Sequence, residues 1–356
     1  MPAAPAEAAS MVQGLGGVAG EALPPPPSFG KQMAQLVIIP AVIAIVAIGL
    51  VALFGTLAGD TDSPQDLLKR LRQSSGMGGK LVADAQDPRY KDRCLAAYNI
   101  ATMIPGITDP AERKALSDEL IQVLRNHVEP GDVEIQQFLV MALGQLGEEG
   151  GLPVVLSYAT SPDRKVREAV IGGVLIWSLR APEAARQGLP ALTKMLSDSA
   201  ELVRTQAAAS VWKLATPGDT QVIQALHEAM ASTGWDEGDG LTEAARRDFV
   251  RRNFTRTRWN AAMSLAALGD EQGIVFVADT LLNRDALAKI SGSITSERDE
   301  PMSEPEQDRV LASALGFVSV SKIADKRIWE RVKQIAQDDK NPSVRQAASL
   351  MLRTRE

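Results

Sequence analysis

Seven short stretches of this 356-residue chain fall on one register, and that register leaves little freedom in the choice of fold. With Arg93, Ile135, Val166, Val203, Thr257, Gln307 and Val344 as origins, the residue eight places on is always apolar: Ala101, Leu143, Val174, Val211, Leu265, Leu315 and Leu352. Eleven places on it is apolar in six of the seven: Ile104, Leu146, Trp177, Leu214, Leu268 and Val318. Offsets of 0, 4, 8 and 11 share one face of an α-helix, so each stretch is a helix with a single stripe to bury. The mean spacing is about 42 residues, and a shorter apolar-periodic segment precedes each stretch across Pro, Gly and Asp punctuation. The pattern predicts an all-α fold in which about seven helical hairpins stack as a right-handed α-solenoid. Two stretches, near 233–252 and 285–306, break the period. They are expected to be loops or short extra helices, and insertions of this kind gather on one face, often the binding face.

Composition agrees. Aromatic residues are only 4% of the chain, which suits closely packed helices better than a β-sandwich. The net charge of −6 argues against a dedicated nucleic-acid binder, which carries a basic excess. Cys94 is the single cysteine, so neither an intramolecular disulfide nor a cysteine-based zinc cluster can form.

Ahead of the repeats, no charge occurs between Lys31 and Asp60, and residues 36–59 are apolar apart from Thr56. A helix needs about 20 such residues to cross the hydrocarbon core, so residues 34–59 are expected to form a transmembrane helix in contact with the bilayer through 36–59. A cleavable signal peptide would have a shorter apolar core, about 7–15 residues, behind a short basic start. Residues 1–33 are rich in Pro, Ala and Gly and read as a disordered tail, leaving 60–356 as the repeat domain. Lys69, Arg70 and Arg72 outnumber Lys31 beside the span, which favours a cytoplasmic repeat domain on a single-pass anchor.

Within the repeats, Val203-Arg204-Thr205-Gln206-Ala207 and Val344-Arg345-Gln346-Ala347-Ala348 share a Val-Arg-x-x-Ala core, Val166-Arg167-Glu168-Ala169 carries it with the Ala one place earlier, and Thr257-Arg258-Trp259-Asn260-Ala261 is a looser copy. Leu143-Gly144-Gln145-Leu146-Gly147 and Leu268-Gly269-Asp270 look like closing turns in which Gly supplies a left-handed cap. On these residues the chain resembles the HEAT-repeat, armadillo-like helical family over roughly residues 64–356, and reads as a membrane-anchored, bacterial-type member of it. The units around Arg93 and Gln307 depart from the motif. Arg167, Arg204, Arg258 and Arg345 occupy one motif position and are expected to form a structural ladder reaching acidic or carbonyl groups at the junctions.

Chemical signals are sparse. His227-Glu228-Ala229-Met230-Ala231 begins like a zinc-protease helix but has Ala231 where a second histidine is required. Gly76-Met77-Gly78-Gly79-Lys80 lacks the preceding strand and the Ser or Thr of a phosphate loop. Asp236, Glu237, Asp239 and Glu243 do not match a calcium-binding loop, because Gly238 falls on a ligand position. The sequence therefore gives no catalytic residue, no metal site and no cofactor. The candidate partner-binding residues are Arg246, Arg247, Arg251, Arg252 and Arg256, interleaved with Phe249, Phe254 and Trp259. Guanidinium groups pair with carboxylates in a bidentate fork and stack on rings, so this cluster suits an acidic partner.

These features lead to the expectation of a membrane-tethered scaffold whose repeat surface binds a protein partner. The alternative is an enzyme on a helical-repeat scaffold, either lyase-like or removing nucleic-acid bases, which would need a continuous cationic groove. Fractionation of cells expressing the full chain and a form lacking residues 1–60 tests the anchor. The full chain should pellet with membranes and the shortened form should not; full-length protein in the soluble fraction would rule the anchor out.

Overall fold

Asp, Ser and Pro set the starts of the helices in the computed structural model, which describes residues 62–73, 87–231, 256–289, 302–321 and 323–355. The expected tail (1–33), membrane helix (34–59), glycine-rich connector (76–80) and first insertion (233–252) lie outside the described residues. By internal contacts the chain divides after Gly59, and every described helix belongs to the second unit, Asp60–Glu356.

All regular structure among the described residues is helical. The principal helices are α1 (Pro64–Arg72), α2 (Pro88–Met103), α3 (Pro110–Asn126), α4 (Val133–Leu146), α5 (Gly151–Ser157), α6 (Arg164–Ser178), α7 (Leu189–Met195) and α8 (Glu201–Ser210). They continue as α9 (Thr220–Ala231), α10 (Arg256–Ala267), α11 (Glu271–Phe276), α12 (Glu304–Ser321), α13 (Lys326–Asp338) and α14 (Pro342–Arg355). Asp87, Asp109, Asp163, Asp270 and Asp325 each accept a backbone N–H of the helix they precede, and Ser63 forms a reciprocal capping box with Asp66. Each such cap stabilises its helix by about 1 kcal/mol. Pro64, Pro88 and Pro110 occupy first turns, where no N–H is needed. Gly147 and Gly269 adopt φ of 68° and 79°, the left-handed conformation expected of the two closing turns.

The helices pack in two series. The second members of successive pairs touch one another, α2 on α4, α4 on α6 and α6 on α8, with α12 on α14 further along; the first members do likewise, α1 on α3, α3 on α5, α7 on α9 and α11 on α13. The register read from the sequence places the core. All seven origins are buried, Arg93, Thr257 and Gln307 included, and so is every residue four places on: Ala97, Leu139, Val170, Ala207, Ala261, Leu311 and Ala348. Of the residues at offset eight only Leu352 is half-buried.

Two apolar clusters result, and both draw on α10. Ala261, Leu265 and Leu268 belong to the cluster that runs back to α1, whereas Trp259 and Ala266 belong to the cluster shared with α11–α14. After Phe276, α11 widens into a π-turn, Val277–Leu281. The start of the second expected insertion is a short helix, Arg284–Leu287; residues 290–301 lie outside the described residues. Among the described residues no single helix is long and apolar enough to cross a membrane. Only α10 with Glu271–Leu281, which is α11 and its π-turn, has the length and composition, and the pair is bent by 120°.

The tightest helix crossing is α4 on α6. A Cβ at Gly144 would stand 2.4 Å from the Cα of Gly173, and backbone cannot yield as a side-chain tip can. Gly144→Ala should therefore destabilise the protein by about 1–3 kcal/mol through overpacking, although alanine is the better helix former. Gly316, exposed in α12 with nothing within 4 Å of its Cβ position, supplies the opposite sign: Gly316→Ala should stabilise by up to about 1 kcal/mol. Chemical denaturation of both variants checks the contrast.

Candidate functional site

A turn between two packed helices buries backbone carbonyls that need donors, and here arginine provides them. Arg113 donates to the carbonyl of Ile107 at 3.2 Å and Arg167 to that of Ser161 at 2.7 Å. Arg204 and Arg345 reach the carbonyls of Asp198 and Asp339 in the same way. In every case the acceptor lies six residues before the arginine. Arg204 takes its acidic partner, Glu201, from its own helix, whereas other arginines reach the adjoining pair: Arg167 grips Asp198 with two bonds of 2.7 Å, Arg284 grips Asp339 at 2.9 and 2.8 Å, and Arg93 meets Asp132 at 3.0 Å. Asp198 and Asp339 thus accept one arginine on the carbonyl and another on the carboxylate. Arg258 is exposed and lies over the Phe276 ring at 5.1 Å; the residue six places before it, Arg252, lies outside the described residues.

Of the arginines proposed from sequence to bind a partner, Arg246, Arg247, Arg251 and Arg252 lie outside the described residues. Arg256 is described and exposed at the start of α10. It lines a cleft of about 400 Å³ between α10 and α12. One wall carries Arg256, Trp259 and Met263, the other Arg309, Val310 and Ser313, and Leu281 of the π-turn also contributes. On the repeat register Arg256 lies one place before its origin, Trp259 two after, Asn260 three and Met263 six; Glu306, Arg309, Val310 and Ser313 hold the same places around Gln307. The cleft is therefore built from equivalent positions of two successive second helices.

At other junctions the same positions are bridged. Glu134 and Lys165 approach to 3.7 Å, Gln206 donates to Glu168, and Asn260 donates to the Thr205 carbonyl at 3.1 Å. Between α10 and α12 these positions line the cleft. Phe317 of α12 meets Trp212, in the short turn after α8, edge-on, with ring centroids 5.2 Å apart.

The remaining candidates have structural roles. His227 sits on α9 with Nε2 at 3.0 Å from Oδ2 of Asp270, beside the α11 cap. The Cys94 thiol is pushed above its ordinary value chiefly by burial, the reverse of what a nucleophilic thiolate requires. Among the described residues no group of three or more His, Cys, Asp or Glu is placed to hold a metal ion. The sequence reading missed Arg309, Ser313 and Leu281. The available signal was positional: the register itself sets Arg309 opposite Trp259.

No protein-family model and no curated protein sequence matches this chain. Among solved structures it is similar to an engineered protein determined by the Northeast Structural Genomics Consortium, at 15% identity and a TM-score of 0.35, over 81% of this chain and 95% of that one. A likeness that distant carries no argument about fold or function.

Clamp and cleft separate by mutation. Arg167→Leu strips the partner from Asp198, whose side chain is 11% exposed, and should destabilise by about 3 kcal/mol, as loss of one member of a buried pair does. Arg309→Ala, at an exposed position, should change stability by less than about 1 kcal/mol. Thermal or urea melts of the two variants distinguish a fastening residue from a surface available to a ligand.

Proposed function

We propose that this protein is a membrane-tethered scaffold that binds a protein partner through the α10–α12 surface of a HEAT-like α-solenoid. The buried register at offsets 0, 4 and 8 and the packing of like helices on like across successive pairs support the repeat reading. In this reading about seven right-handed helical hairpins make up residues 60–356, and the apolar span of residues 36–59 tethers them to the bilayer, with the repeats on the cytoplasmic side. Such an array offers an extended surface to a partner, and an anchor fixes where that surface acts.

The observation that carries the binding assignment is the cleft. Positions that are bridged elsewhere in the stack here leave an apolar-walled opening with a guanidinium on each side. The arginine-rich segment from Arg246 to Arg252 precedes Arg256 in the sequence. Partner capture from detergent-solubilised membranes tests this reading. Full-length protein should recover a specific partner, and reversal of Arg247, Arg251 and Arg252 to Glu should abolish recovery without lowering the melting temperature. Arg353→Glu, exposed near the end of α14, should leave recovery intact. Failure of the unaltered protein to recover any partner would contradict the scaffold reading.

A further inference from the structure

The charge state of the cleft walls narrows what can enter. The carboxylates of the first turns of α12 all have partners: Glu304 pairs with Lys340, Glu306 accepts from the backbone N–H and hydroxyl of Ser303 at 2.9 and 2.7 Å, and Asp308 accepts from Arg284 and Asn341. No acidic residue occurs between Arg256 and Ala267. The guanidiniums are less engaged. Arg309 donates only from Nε, to the Pro305 carbonyl at 3.3 Å, and Arg256 has no hydrogen-bond partner among the described residues. Two guanidiniums, Arg256 and Arg309, and one carboxylate, Glu306, line the cleft, so its charge is net positive, while the wall below is apolar: Trp259, Met263, Leu281 and Val310.

Size and shape complete the restriction. A volume of about 400 Å³ lies toward the small end of ligand cavities, roughly 300–1,000 Å³, and accommodates one or two side chains rather than a folded surface. Arg256, Trp259 and Met263 are spaced by helical turns, and so are Arg309 and Ser313. The walls thus run about two turns, or ~10 Å, the length over which a helical segment presents one anchor and the residues one turn to either side. A π-turn re-aims side chains and recurs at binding sites, and Leu281 at its end is the residue delivered to this cavity.

We propose that the α10–α12 cleft receives an acidic, apolar-anchored segment of a partner protein. A Leu, Phe or Trp side chain enters between Trp259 and Val310, and carboxylates one helical turn before and after it pair with Arg256 and Arg309. Anchors of this kind dominate the energy of groove-binding helices, and guanidinium forks match carboxylate geometry. This assignment deepens the scaffold reading by giving the chemistry of the partner, and it rests on that reading only for the biological setting.

The test uses full-length protein in detergent micelles and a fluorescent peptide of about twelve residues, three helical turns, with a central Trp and Glu one turn to each side. Anisotropy should report saturable binding that weakens with added salt. Replacing the central Trp with Ala, or both Glu with Lys, should raise Kd at least tenfold. So should Arg256→Glu with Arg309→Glu, and so should Ser313→Trp, which fills the cleft from an exposed position; Arg353→Glu should not alter Kd. Equal binding of the Lys peptide, equal binding by the cleft variants, or displacement of the peptide by millimolar inorganic phosphate would overturn the assignment. Tighter binding after Asp236, Glu237 and Asp239 are neutralised would give the cleft to the chain's own acidic segment and overturn it equally. The two readings fail separately. A partner recovered from membranes alike by unaltered and cleft-variant protein would remove the cleft assignment and keep the scaffold. Peptide binding without any recovered partner would do the reverse.

Discussion

The stack depends on arginines that are held inside it. Packing helix on helix removes the connecting turns from water, and their carbonyls would otherwise be costly orphans. Arg167 and Arg204 each close their own turn from the first turns of the following helix, and Arg167 also seizes Asp198 at the foot of the next pair. Arg345 and Arg284 repeat the arrangement on Asp339. A planar, five-donor group can serve a carbonyl and a carboxylate together, which lysine cannot do. The apolar stripes drive association of neighbouring helices without fixing their relative height. The arginine forks fix it, because a shift by one residue would move donors away from both acceptors.

The two apolar clusters of the described helices meet at α10. That helix divides its apolar residues between two clusters: Ala261 and Leu265 face one, Trp259 the other. On its earlier side it is stitched to α8 by Asn260 and by Ser264, which donates to the Ala208 carbonyl. On its later side α12 is reached only after the π-turn, the helix Arg284–Leu287 and the residues beyond it. The cleft lies on that side, so the site is a product of the connection rather than of a distinct motif. Its arginines need no burial and its apolar wall is part of a core. A cleft of this kind therefore costs the packed helices little stability.

The sequence made the helices and their buried faces legible because helical periodicity is a property of near neighbours along the chain. Arg93 and Gln307, polar residues at origins that looked irregular, are buried like the valines they replace, so the register survives where the motif fails. Gly147 and Gly269 were readable as left-handed caps for the same local reason. Three of the four ladder arginines fulfil their expected role. For Arg258 the equivalent acceptor, the Arg252 carbonyl, lies outside the described residues. The cleft was only half visible. Arg256 drew attention as part of a dense cationic run, but Arg309 stands between Asp308 and Val310 with no other arginine near in sequence. Its partnership with Trp259 and Arg256 exists only once two helices separated by some fifty residues are placed side by side.

Entry of a partner between α10 and α12 is the central proposal, and site-specific photo-crosslinking in the full-length protein measures it most directly. A photoreactive phenylalanine analogue at Ser313 lies in the cleft. The same analogue at Asn99 occupies the equivalent register position on α2, at the other end of the stack. Irradiation in membranes should crosslink the partner from position 313 and not from position 99. Crosslinking from 99 alone, or equally from both, would contradict the account.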